Sequence, residues 1–175
     1  AGDQRVWYVY GSDNQRVRKI VERLSGSTWI LDRETRYLGG AEYYRSYATG
    51  AVHVERETVH AMDGDRRLAM LETDLVSGGA VVGSPEAKLR HVLDNHLRSA
   101  SVEVDGDGEV ISYEEFYPYG TTAFCSQDSD VNSNAKRYRY TGKERDAETG
   151  LDYFGLRYLV VSLYRWTRPD PAETV

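Results

Sequence analysis

Apolar and polar positions along this chain alternate in short runs and do not recur at helical spacing. Val6-Trp7-Tyr8-Val9-Tyr10 predicts a strand, Gly11-Ser12-Asp13-Asn14 a turn, and residues 15–22 a return strand in which Val17 alternates with Arg16 and Arg18. Ser25-Gly26-Ser27 predicts the next turn, residues 28–31 and 36–38 strands, Gly39-Gly40 a break, and residues 42–47 a further strand. Residues 52–59 alternate cleanly, and residues 62–67 turn the chain into 68–71. Turns recur about every ten residues, the mark of a meander of short strands. Residues 76–84 predict an exposed loop, because Ser77-Gly78-Gly79 and Gly83-Ser84-Pro85 both break regular structure. Ser84 ahead of Pro85 and Glu86 suits the start of one short helix near 85–93.

Residues 95–104 lead into Asp105-Gly106-Asp107-Gly108 and residues 109–120 lead out, a hairpin with Asp-Gly at its tip. Residues 126–135 form a polar loop. From Arg137 to Tyr158 the pattern predicts two aromatic strand segments around the charged turn 143–150. Tyr138 and Tyr140 fall on one face of the first segment, with Arg137 and Arg139 on the other; Tyr153, Phe154 and Tyr158 carry the return. The expected fold is all-β, a series of consecutive antiparallel hairpins.

Composition supports that fold and removes several functions. A length of 175 residues fits one domain or a slice of something larger, and 40% hydrophobic residues argue against disorder. Fourteen Tyr against three Phe and three Trp suit half-exposed sheet faces, since tyrosine has an apolar ring and a polar tip. A net charge of −6 argues against a nucleic-acid partner, and Arg16-Val17-Arg18-Lys19 reads as a solvated strand face. No apolar run is long enough to span a bilayer as a helix. Cys125 is alone, so no intrachain disulfide forms, and it has no recognisable catalytic context. His53, His60, His91 and His96 lack metal-site spacing and read as structural or surface residues. Asp105 to Glu109 lacks the remaining ligands of a calcium loop and reads as a hairpin turn. The residues call for no cofactor and no metal.

One stretch is more specific. Tyr138-Arg139-Tyr140-Thr141-Gly142-Lys143-Glu144-Arg145-Asp146-Ala147-Glu148-Thr149-Gly150-Leu151-Asp152-Tyr153-Phe154-Gly155-Leu156-Arg157-Tyr158, followed by Arg165-Trp166-Thr167-Arg168-Pro169-Asp170-Pro171, closely resembles the signature of the RHS repeat-associated core domain. That domain closes the RHS/YD-repeat shells of bacterial polymorphic toxins and of the C component of Tc insecticidal toxins. Tyr8, Tyr10, Asp13 and Arg16 loosely resemble one YD repeat, with Asn14 near the family glycine. The likeness is strongest over residues 91–158 and divides the chain into degenerate YD-repeat hairpins (1–75), a loop (76–90) and an RHS core segment (91–175). It argues for a strand, rather than a helix, near 85–93.

The resemblance implies a structural segment of a toxin shell, secreted or exported as part of a toxin complex. Its partners would be the remainder of an RHS shell or a Tc B-like component, and the encapsulated toxin polypeptide. Open edge strands also invite self-association. In the family an aspartyl protease-like site, made of two aspartates and an arginine, cuts the chain just after the core. Two close carboxylates resist ionising together, so one serves as base and the other as acid. By motif position Asp170 matches the first aspartate and Arg157 the arginine. The second aspartate lies beyond the Pro-Asp-Pro element in the family and is absent here, as in a core truncated at its C-terminal end, so the chain by itself is expected not to self-cleave. The bland alternatives are a turn aspartate between two prolines and an arginine ion-paired in a sheet. The chain also departs from the family at Val160 to Tyr164, with Tyr164 where glycine is expected. Two other functions stay open: a stand-alone β-sheet binding module for glycan or protein, and an enzyme with a new site on a repurposed core.

Overall fold

A computed structural model describes residues 3–127 and 135–170. Among the described residues the fold is all-β, with antiparallel sheets of eleven and four strands, and the only helical pieces are 3-10 turns of three residues. The chain forms two compact units: residues 1–61 with 69–89, and residues 62–68 with 90–175.

In the first unit each strand folds back on the one before it. The strands are β1 (Gln4–Tyr10), β2 (Arg16–Ser25), β3 (Thr28–Leu38), β4 (Ala41–Ala48), β5 (Ala51–Asp63), β6 (Arg66–Ser77) and β7 (Ala80–Val81), with β5 and β6 reaching across the unit boundary. The two strands expected at 28–31 and 36–38 are one continuous β3. Asn14 adopts φ 58°, the left-handed conformation that asparagine tolerates and that the β1–β2 turn requires. Register sets the chemistry of one face: Arg45 on β4 lies opposite Glu34 on β3 and Glu55 on β5. Its Nη2 donates to Glu55 Oε1 at 2.9 Å. Glu34 is buried, and burial pushes its carboxyl up. Hydrogen bonds from Arg18 and Tyr47 outweigh that and hold it below the ordinary carboxylate range.

The second unit is built on β8 (Ala87–Asp94), β9 (Ala100–Asp105), β10 (Val110–Phe116) and β11 (Thr122–Gln127), each antiparallel to the next. No helix forms near 85–93, so that expectation is corrected. Arg90 and Val92 are buried while His91 and Leu93 are exposed, a period-two pattern, and pairing with β9 overrides the weak capping signal at Ser84. The segment 76–90 holds the end of β6, all of β7 and the start of β8. The Asp105 hairpin forms as expected: its Oδ1 accepts the N–H groups of Asp107 at 3.0 Å and Glu109 at 2.9 Å. The aspartate is a turn builder.

A small sheet of β12 (Glu144–Arg145), β13 (Leu151–Tyr153), β14 (Tyr158–Val160) and β15 (Arg165–Trp166) completes this unit. Here the expected aromatic strand 137–140 is corrected. Tyr138 makes a single bridge to Glu144, and Tyr140–Gly142 is a 3-10 turn with Thr141 at φ 48°. Gly142 supplies the second left-handed residue, so the chain reverses earlier than alternation alone suggests. Of the polar loop expected at 126–135, residues 128–134 lie outside the described residues.

Buried side chains are unusual in kind. Among the described residues nine hydrophobic side chains are buried against sixteen polar or charged ones, so hydrogen-bonded charge shares the interior with apolar packing.

Candidate functional site

Two groups of side chains in the second unit carry chemistry. The first is a buried ionic row across β8–β11 and the segment that follows. Arg90 Nη1 on β8 donates to Glu103 Oε2 on β9 at 3.2 Å, and Ser112 Oγ on β10 donates to the same oxygen at 2.8 Å. Glu114, two residues along β10 and fully buried, accepts from Thr122 Oγ1 at 2.7 Å and Arg139 Nη1 at 2.8 Å. Lys136 Nζ stands 3.5 Å from its second oxygen and also donates to the Ala100 carbonyl. Arg145 on β12 grips Asp152 on β13 through Nε at 2.7 Å and Nη2 at 3.0 Å, and Nη2 reaches the Gly120 carbonyl at 2.8 Å.

Electrostatics follow from burial. Burial lowers the Lys136 ammonium from its ordinary value, against the pull of Glu103 and Glu114. Burial raises the Asp152 carboxyl, and the Arg145 contacts offset only part of that rise. Glu103, Glu114 and Asp152 are each engaged by a cation from another strand or loop. This arrangement ties β8, β9, β10 and the small sheet to one another, with the carboxylates of Glu103, Glu114 and Asp152 buried.

The second group contains the residues picked out by motif position. Arg157, just ahead of β14, and Asp170, beyond β15, meet at 2.7 Å between Nη1 and Oδ1. Arg157 is only 20% exposed, whereas Asp170 is 74% exposed. The guanidinium also lies 3.9 Å from the Trp166 ring centroid, and Phe154 meets Trp166 edge-on at 4.9 Å. Thr167 N–H donates to the Tyr158 carbonyl at 2.9 Å, extending the β14–β15 ladder that sets this spacing. The structure thus brings Arg157 and Asp170 together. Pro171 and the residues after it lie outside the described residues.

Among the histidines, His60 Nε2 is 2.8 Å from Glu42 Oε1 and both are buried. Cys125 is an exposed thiol on β11. Among the described residues no cluster of three or more His, Cys, Asp and Glu could hold a metal ion. Reading the residues alone missed the ionic row. The available signal was period two on β10, which puts Ser112 and Glu114 on one face, but a glutamate on a strand reads first as solvent-facing.

No protein-family model matches the chain. It is 38% identical over 168 residues to toxin subunit YenC2 of Yersinia entomophaga and 37% identical over 168 residues to toxin subunit YenC1 of the same organism. Each match covers 96% of this chain and 17% of the relative, so the chain spans a small part of the curated relatives' length. Among solved structures it matches a crystal structure of TcdB2-TccC3 with a TM-score of 0.82 at 32% identity, covering 100% of this chain and 8% of that one. A structure of the Photorhabdus luminescens Tc holotoxin pore matches with the same TM-score, identity and coverage.

Proposed function

We propose, from the premise that this chain is homologous to a segment of Tc toxin subunits, that it forms a stretch of wall in an RHS/YD-repeat shell that encloses a toxin polypeptide. The role is structural, and the chain is not catalytic on its own. Residues 1–75 contribute hairpins of the wall, residues 76–90 join them onward, and residues 91–175 contribute the core segment. Its partners are the rest of the shell, a B-like component and the enclosed toxin, in a complex that is exported.

The observation that carries this reading is the interior. Hairpin follows hairpin, and among the described residues polar side chains outnumber apolar ones in the buried set. A small independent domain draws its stability mainly from apolar burial. A wall segment shares its edges and faces with neighbours and can rely on cross-strand ion pairs instead. The test is the native mass of the chain, expressed alone and with a B-like component, by size-exclusion chromatography with light scattering. A defined assembly, or recovery only with the second polypeptide, is expected. A sharp monomer near 19.9 kDa that ignores the B-like component refutes the wall reading.

The Arg157–Asp170 contact favours a second reading within the same family resemblance. An arginine fixed on an indole face and paired to an exposed carboxylate suits a role in cutting the chain just after the core. Asp170→Asn in the longer polypeptide, followed by electrophoresis, tests it. Loss of the cleaved product is expected, and unchanged cleavage removes Asp170 from the site.

A further inference from the structure

We propose that a cleft on one face of β3, β4 and β5 is a binding site for a small zwitterion of the α-amino acid type. The cleft holds about 230 Å³ and is lined by Glu34, Arg36, Leu38, Tyr43, Arg45 and Glu55, all within the first unit. Strand register builds it. Arg36 on β3 lies opposite Tyr43 on β4, and Tyr43 opposite Glu57 on β5; Glu34, Arg45 and Glu55 form the adjacent row. Side chains two apart on a strand share a face, so both rows belong to one surface. Leu38 is 62% exposed and the Arg36 side chain 46% exposed, so the cleft opens to solvent. Its volume falls below the roughly 300–1,000 Å³ of sites for drug-sized ligands, which suits a smaller molecule.

The groups left over on the lining side chains identify the occupant. Glu34 is filled, since it accepts from Arg18, Arg36 and Tyr47, and it fixes the wall of the cleft. Arg36 spends Nη2 on Glu34 at 3.1 Å, and Arg45 spends Nη2 on Glu55 Oε1 at 2.9 Å. Arg45 Nε is buried with no hydrogen-bond partner. Among the described residues nothing bonds to the remaining N–H groups of the two arginines or to Glu55 Oε2. Free guanidinium N–H groups call for a carboxylate, and the free oxygen of an ionised glutamate calls for an ammonium. Charge excludes a plain ion. Arg36 and Arg45 are matched by Glu34 and Glu55, and just outside them Arg18 on Glu34 is matched by Glu57 on the Tyr43 hydroxyl. A ligand of one sign would meet a like charge in the same cleft, whereas a zwitterion meets an opposite charge at each end. Tyr43, its ring fixed by the bond to Glu57, and Leu38 offer apolar surface to the ligand's side chain.

The test uses leucine and phenylalanine as probes, with N-acetyl-leucine, which lacks the ammonium, and leucine amide, which lacks the carboxylate, as controls. Saturation-transfer difference NMR reads binding to the protein alone or in its assembly. At least one amino acid is expected to bind at about 10 mM or tighter, and each control about fivefold or more weakly. Arg45→Lys keeps a cation beside Glu55 and removes the guanidinium fork, so affinity should fall about fivefold or more while the melting temperature holds. Glu55→Gln is the discriminating variant. It removes the partner of the ammonium and leaves the cleft cationic, so N-acetyl-leucine should bind at least as well as leucine, a reversal that a damaged fold does not produce. No binding of either amino acid up to about 50 mM overturns the proposal. So does a parent that binds either control as well as leucine, full affinity in Arg45→Lys, or an unchanged order of preference in Glu55→Gln. Binding of glucose in place of the amino acids overturns it in favour of an uncharged polyol.

Discussion

Removing the Glu114 carboxylate should be among the most damaging single changes in the second unit. Its side chain is fully buried between Thr122, Arg139 and Lys136 at 2.7, 2.8 and 3.5 Å. In Glu114→Ala, Lys136 stays buried with its carbonyl contact to Ala100 but without its nearest counter-charge. Breaking one side of a buried ion pair costs about 3–5 kcal/mol, because the remaining charge is left uncompensated. At about 2–4 °C per kcal/mol for a domain of this size, the melting temperature should fall by roughly 6–20 °C. Replacing both partners with apolar groups of similar volume, Glu114→Leu with Lys136→Met, should recover most of the loss, to within about 2 kcal/mol of the parent. Arg139 is part-exposed and can turn to water. Urea unfolding of the parent, Glu114→Leu, Lys136→Met and the pair gives the coupling directly.

The pH dependence adds a signed check. Burial lowers Lys136 in the folded state from its ordinary 10.5. Between the folded value and 10.5 the unfolded chain holds the extra proton, so stability rises as pH rises through that window. Without Glu114 the folded value falls further and the window widens. Glu114→Ala should therefore regain part of its lost stability at alkaline pH. A cost below about 1 kcal/mol, the range of exposed pairs, would refute the reasoning. So would a double variant no more stable than Glu114→Ala alone.

Other outcomes follow from single contacts. A Cβ at Gly120, where φ is +93°, would stand 2.6 Å from the Tyr140 ring, so Gly120→Ala should cost about 2–4 kcal/mol by chemical denaturation. Gly26→Ala, with φ +62° and open space around it, should cost only about 1 kcal/mol by the same measurement. Glu34 is held below 4.5, so its stabilising contribution is complete above 4.5 and is lost as pH falls through the folded value; Glu34→Gln should flatten that part of an acid-unfolding curve. Asp152 has the opposite sign: it is raised above 3.8, so its contribution is present below 3.8 and is lost as pH rises through the folded value. Stability measured across that window should change less in Asp152→Asn than in the parent.

Turn chemistry and alternation made the all-β order legible from residues alone. Asn14, Gly26, Gly39 and the Asp105 hairpin all reverse the chain where their types predict. These signals are local: a positive φ or an aspartate that caps its own turn needs no distant partner. The pairing of Arg157 with Asp170 was legible only as motif position, and the spacing that closes it comes from the β14–β15 ladder. The short helix near 85–93 failed because cap propensity is weak beside a strand's worth of hydrogen bonds from β9.

The interior was not legible, and the reason is physical. Glutamate, lysine and arginine have long side chains that reach water from most strand positions, so their type does not say which face they occupy. Glu103 and Asp152 went inside where antiparallel register placed Arg90 and Arg145 within reach, and Glu114 where the segment ahead of β12 brought Lys136 and Arg139 to it. Register joins residues far apart in the chain, and an ion pair between them exists only once the strands have met. Local sequence therefore determines where this protein turns and which stretches extend, while tertiary pairing determines which charges are buried together and which tyrosines are left facing outward.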